Sequence, residues 1–141
     1  MRFMILLKAD ADSEAGVMPD EKLIAVMTKY NESLVAAGVM RSGEGLQASS
    51  KGARVHFAGA QRTVERGPFP ETKHLIAGFW IFEVASLDEA IAWVKRCPNP
   101  HRGNAEIEIR QIFESEDFGD ALTPEVRAAE ERMRKEIERK G

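Results

Sequence analysis

The run from Leu75 to Ala85 constrains this chain more than any other stretch. Leu75, Ala77, Phe79 and Ile81 fall on one side of an extended backbone. Ile76, Gly78, Trp80, Phe82 and Val84 fall on the other, because successive strand side chains point to opposite faces. A strand apolar on both faces has to be covered on both, so it belongs at the centre of a sheet. Arg2 to Lys8 has the same character, with Phe3, Ile5 and Leu7 alternating with Met4 and Leu6. The chain also supplies helices to cover such strands. After a turn-rich stretch, Pro19 and Asp20 open a pattern in which Leu23, Met27, Tyr30, Leu34 and Val35 recur at helical spacing, and Gly38 stops it. Ser86-Leu87-Asp88-Glu89 reads as a capping box, followed by a helix that buries Leu87, Ala90, Ile91 and Val94 and ends before Pro98.

The remaining segments are less regular. Residues 39–53 are rich in glycine and serine and read as a loop. Arg54 to Phe57 and Arg62 to Arg66 flank Ala58-Gly59-Ala60-Gln61 and read as a hairpin. Gly67-Pro68-Phe69-Pro70 is a bend, since two prolines remove two backbone donors. Asn104 to Phe113 reads as a last strand, with Ala105, Ile107, Ile109 and Phe113 on an apolar face and Glu106, Glu108 and Arg110 on a charged one. In the tail, Thr123-Pro124 is a helix start with threonine as cap and proline at the first helical position. The helix runs to about Arg139 and carries a narrow stripe of Val126, Ala129, Met133 and Ile137.

Two strand–helix–strand units in one small domain predict an α+β ferredoxin-like sandwich with the first and long strands at its centre. Helices would cover one sheet face. The other, taken as the face bearing Trp80 and Phe82, would pack against a second copy, giving a homodimer. The 141 residues suit one core, and 43% apolar residues are ordinary for a folded chain. Residues 114–141 hold nine acids and six bases, so the preceding part is balanced and has no net charge to attract a polyanion. Nucleic acid is therefore not an expected partner. No early apolar run is long enough for a membrane span, and a lone cysteine permits no internal disulfide, so a cytoplasmic location is expected.

Arg66-Gly67-Pro68-Phe69-Pro70-Glu71-Thr72-Lys73, followed by Ala77-Gly78-Phe79, resembles the signature of the YCII-related, or DGPF-domain, family. Gly43-Glu44-Gly45-Leu46, Ser86-Leu87-Asp88-Glu89-Ala90 and Glu106-Ile107-Glu108-Ile109-Arg110 resemble it too. The resemblance implies a dimeric α/β barrel of ferredoxin-like subunits over residues 1–115, with 116–141 as a charged helical extension. It also implies kinship with small-molecule isomerases and cofactor-free monooxygenases, within a family whose activity is mostly unassigned. Some members sit beside extracytoplasmic-function sigma factors, which implies a regulatory use. Arg66 stands where the naming motif has aspartate, and Tyr30 where some members carry a histidine on the first helix, so a histidine–acid dyad is not carried over.

Candidate site residues follow from the bend and the last strand. His74 and Glu108 are the candidate proton carriers, His74 because its free pKa suits transfer near neutral pH. Lys73 and Arg110 would attract a small anionic or carbonyl-bearing ligand, with Tyr30 and Glu71 lining the same pocket. The plainer alternative makes Glu71 and Lys73 loop fasteners, Tyr30 a core residue, and Glu108 with Arg110 an ordinary ion pair. Cys97 and His101 bracket Pro98-Asn99-Pro100, but His56 and His74 add no metal-like spacing, so no metal is expected. Gly43-x-Gly45 lacks the rest of a dinucleotide fingerprint, so no cofactor is expected either. Three functions fit: a small-molecule acid–base enzyme, a non-catalytic ligand-binding or regulatory protein that meets a protein partner through its tail helix, or a purely structural dimer, the first two being favoured.

Overall fold

The computed structural model describes residues 1–141. The chain divides into two compact units, Met1–Gln111 and Ile112–Gly141. The first contains β1 (Arg2–Lys8), a one-turn helix α1 (Ala11–Glu14), α2 (Glu21–Ala36), β2 (Met40–Gly45), β3 (Ala53–Ala58), β4 (Gln61–Arg66), β5 (Ile76–Glu83), α3 (Leu87–Lys95) and β6 (Ile107–Gln111). Four strands form one antiparallel sheet in the order β2-β5-β1-β6, and β3 and β4 form a separate hairpin. With α2 joining β1 to β2 and α3 joining β5 to β6, this is the ferredoxin-like sandwich, with β1 and β5 central.

Which sheet face the helices take is the main departure from expectation. Phe3 pairs with Phe82 and Ile5 with Trp80, and all four are buried together with Tyr30 and Leu34 of α2 and Ala90 of α3. Trp80 meets Tyr30 edge-on at 6.0 Å, and its indole N–H donates to the Asn31 side-chain oxygen at 2.9 Å. The Trp80–Phe82 face is thus the hydrophobic core, and the expectation that it meets a second copy is overturned. The opposite face carries Met4, Leu6, Phe79 and Ile81, each half-buried, with Met4 opposite Ile81 and Leu6 opposite Phe79. Both helices pack against the Phe3–Phe82 side, so neither covers this second apolar set.

Local details follow the capping chemistry. Asp20 caps α2 by accepting from the Leu23 amide at 2.8 Å, and Ser86 caps α3 by accepting from the Glu89 amide at 3.1 Å. The Glu89 carboxylate reaches back to the Ala85 amide, one residue before the cap. Val35 and Leu87 are exposed rather than buried, and Phe113 leaves the sheet to stack near Phe118, ring centres 5.1 Å apart, in the second unit. Residues 39–53 are not a loop. They contain β2, whose glycines and serine carry no strand propensity but whose backbone pairs with the long β5. Gly43 is required there, because a Cβ would come within 2.8 Å of the Trp80 ring.

The second unit contains α4 (Pro124–Lys140), started by Thr123, whose hydroxyl accepts from the Val126 amide at 3.3 Å. The apolar stripe of α4 is exposed: Val126 by 47%, Met133 by 55% and Ile137 by 70%. No helix of the chain is long and apolar enough to cross a membrane.

Candidate functional site

The family-like bend is held by its backbone. Gly67 donates to the Gly52 carbonyl at 3.0 Å and lies so close to Ser49 that any Cβ would overlap the Ser49 carbonyl. The Phe69 amide donates to the Ser49 hydroxyl oxygen at 2.9 Å. That hydroxyl donates in turn to one carboxylate oxygen of Glu14, and the other oxygen accepts from the Ser49 amide at 2.9 Å. Phe69 is buried, with the Arg54 guanidinium 3.8 Å above its ring and 3.7 Å from the Glu71 carboxylate. A three-residue 3-10 turn, Thr72–His74, then leads into β5, while the Ala9 amide bonds the Leu75 carbonyl at 3.0 Å. The bend is thereby fastened beside the end of β1, which fixes where Lys73 stands.

A cleft of about 300 Å³ lies at that end, lined by Lys8, Ala9, Lys73, His101, Asn104, Ala105 and Glu106. His101 is nearly buried: its Nε2 bonds the Lys8 carbonyl at 2.8 Å and its Nδ1 lies 3.2 Å from the Asp10 carboxylate. With both ring nitrogens engaged, His101 is a strut that ties the loop after α3 to the end of β1. Lys8 turns to Glu108 at 3.2 Å, and Arg110 reaches the other oxygen of Glu108 at the same distance. Lys73, Asn104 and Glu106 line the cleft with no side-chain partner. A larger hollow of about 480 Å³ in the second unit is lined by Gly119–Leu122 and the first turns of α4; its Asp120, Arg127 and Glu131 are what a solvated helix start ordinarily presents.

The expected site residues are therefore dispersed. Glu108 and Arg110 come together on the open sheet face, opposite Leu6 and Met4, and Lys8 links them to the cleft that Lys73 enters. Glu71 is turned to Arg54, and His74 is exposed at the end of its turn without lining the cleft. Tyr30 lies across the sheet from Arg110, in the core, where its hydroxyl donates to the Trp93 carbonyl at 2.8 Å. Burial pushes the Tyr30 phenol well above its ordinary range, with Cys97 nearby adding to the effect. Burial likewise raises the Cys97 thiol to about 11, which keeps it protonated and unreactive at neutral pH. Arg66, in place of the family aspartate, ends β4 opposite Ala53 and is exposed. Sequence reading missed Lys8, Asp10 and Asn104, set His101 aside, and ranked Glu106 behind Glu108. No local spacing joins His101 to Lys8, 93 residues away.

The carboxylates differ in what they can do. The bond from Lys8, and then that from Arg110, hold Glu108 below its ordinary 4.5, so it stays ionised and is a weak base. The Ser13 amide holds Asp10 below its ordinary 3.8, burial opposing and His101 assisting. A depressed folded-state pKa contributes stability above the unfolded value, which is lost as pH falls through the folded one. Melting temperature should therefore fall below about pH 4, as these two groups take up protons. Asp10→Asn should flatten that acid-side fall, and a parallel curve from pH 2 to 6 would contradict the assignment.

A family model described as the YCII-related domain matches residues 1–116. Protein R00369 of Rhizobium meliloti (strain 1021) is 27% identical over 93 residues, 66% of this chain and 75% of that protein. A solved structure of 5-chloro-2-hydroxyhydroquinone dehydrochlorinase (TftG) from Burkholderia phenoliruptrix AC1100, in complex with 2,5-dihydroxybenzoquinone, aligns at TM-score 0.47 and 19% identity, over 83% of this chain and 98% of that one.

Proposed function

The chain belongs to the YCII-related family, and from that premise we propose that it binds a small anionic or carbonyl-bearing molecule in the cleft at the end of β1 and performs side-chain acid–base chemistry on it. The observation that carries this reading is the meeting of Lys73, from the family bend, with Glu106, from the start of the last strand, at one cleft with neither of them paired. Lys73 supplies a point charge for a carboxylate, or for an oxygen on which charge develops. Glu106 is the proton carrier. Neither Lys8 nor Arg110 engages its carboxylate, so its oxygens are free to meet a ligand, and a positioned base contributes about 10²–10⁴ in rate. Glu108 serves to orient Lys8, and the His101 strut keeps the wall of the cleft in place.

The protein works in the cytoplasm as a homodimer joined through Met4, Leu6, Phe79 and Ile81. Neither α2 nor α3 covers this apolar set, and contiguous apolar patches of that kind mark interfaces. A second reading, a non-catalytic binding protein whose output is a protein contact, is favoured by the exposed stripe of α4. Native mass spectrometry of the freshly purified full chain tests the first reading. A small molecule retained in stoichiometric amount supports it, and release of that molecule in altered form on incubation makes the protein an enzyme. Retention without turnover favours the second reading.

A further inference from the structure

The charges around the cleft are unevenly committed, and that unevenness restricts what fits. Lys8 is turned to Glu108, which it shares with Arg110, and the two nitrogens of His101 are taken by the Lys8 carbonyl and Asp10. Three lining groups remain: the Lys73 ammonium, the Asn104 amide and the Glu106 carboxylate. Lys73 and Glu106 share the cleft yet form no ion pair, so their charged atoms lie more than 4.0 Å apart. A simple anion drawn by Lys73 would face the Glu106 carboxylate, and a simple cation drawn by Glu106 would face Lys73. Both charges are met only by a molecule that is itself divided.

We infer that the cleft takes a small molecule bearing a carboxylate at one end and a hydroxyl or ammonium donor at the other, with Lys73 and Asn104 receiving the carboxylate and Glu106 receiving the donor. This rests on the cleft being the binding site, and it narrows the ligand from any anion or carbonyl compound to hydroxy acids and amino acids. A volume of about 300 Å³ leaves room for a compact molecule of that kind. Glu106 thereby accepts the hydrogen bond of the donor, which is also where a proton would be removed.

Titration of the full-length protein followed by backbone amide shifts at Lys8, Ala9, Lys73, Ala105 and Glu106 tests this with four probes. Glycerate and serine carry both groups, propionate only the carboxylate, and ethanolamine a donor without the carboxylate. Glycerate or serine should bind at least about 10-fold more tightly than propionate or ethanolamine, since a charged hydrogen bond is lost in either control. Lys73→Gln should weaken glycerate binding about 10–100-fold. Glu106→Gln should bring glycerate and propionate to within about 3-fold of one another. Equal binding of propionate and glycerate to the unmodified protein would overturn this inference while leaving an anion site standing. Tighter binding of ethanolamine than of glycerate would overturn it as well. Shifts from none of the four at these amides would remove the cleft itself.

Discussion

If the chain forms the proposed homodimer, Leu6→Asp and Phe79→Asp should each turn it into a folded monomer in sedimentation velocity. Leu6 and Phe79 face each other across β1 and β5 on the sheet side that α2 and α3 leave uncovered. Burying such a side chain contributes about 1.5–3 kcal/mol, and an aspartate there adds an unpaired charge to the lost contact. Association should weaken by about 10²–10⁴-fold, because each 1.4 kcal/mol is a factor of ten. Folding should survive, since neither residue belongs to the core cluster. Phe82→Asp is the contrasting variant. Phe82 is 0% exposed, so the charge would enter the core and the chain should fail to fold. An unchanged dimer with either open-face substitution would move the interface elsewhere.

Gly67→Ala should lower the melting temperature and weaken ligand binding together. A methyl group at Gly67 would occupy the position of the Ser49 carbonyl, so either the bend or residues 49–52 must move. Displacement of packed backbone costs about 1–3 kcal/mol, a fall of roughly 3–10 °C in a chain of this size. The same movement shifts Lys73, which the bend positions. Gly52→Ala is the matched control: its Cβ would sit 3.6 Å from that same carbonyl, an ordinary contact, and neither property should change appreciably. A Gly67→Ala protein with native melting temperature would show the bend to be yielding.

The parity of the strands made the fold legible but left its two faces unassigned. Apolar residues on both sides of β1 and β5 require two covers, yet alternation alone does not say which side the helices take. Trp80 and Phe82 look like interface residues because they are large, and they proved to be the core. A usable signal lay in the last strand. Glu108 and Arg110 are charged, and they pair with Leu6 and Met4, so their side of the sheet is the one the helices leave free. The edge strand β2 was hidden because its pairing comes from β5 rather than from its own residues.

The candidate site was legible only in part, for a different reason. Lys73 stands in a rigid motif and is found by reading the motif. Tyr30 was drawn in by its hydroxyl, which the fold spends on the Trp93 carbonyl. The partnership of Asp10, His101 and Lys8 arises from chain reversal between the ends of β1 and the loop after α3. Residue spacing holds no trace of such a contact. Glu106 and Glu108 look equivalent in sequence, but in the fold two cations close on Glu108 while Glu106 lines the cleft unpaired.

The most direct measurement is melting temperature and ligand affinity on one preparation of Lys73→Gln, with glycerate or a co-purified molecule as ligand. Lys73 is exposed and bonds nothing through its side chain, so the melting temperature should match that of the unmodified protein within about 1 °C, while affinity falls at least about 10-fold. Full affinity in the variant would contradict the assignment of the cleft as the site.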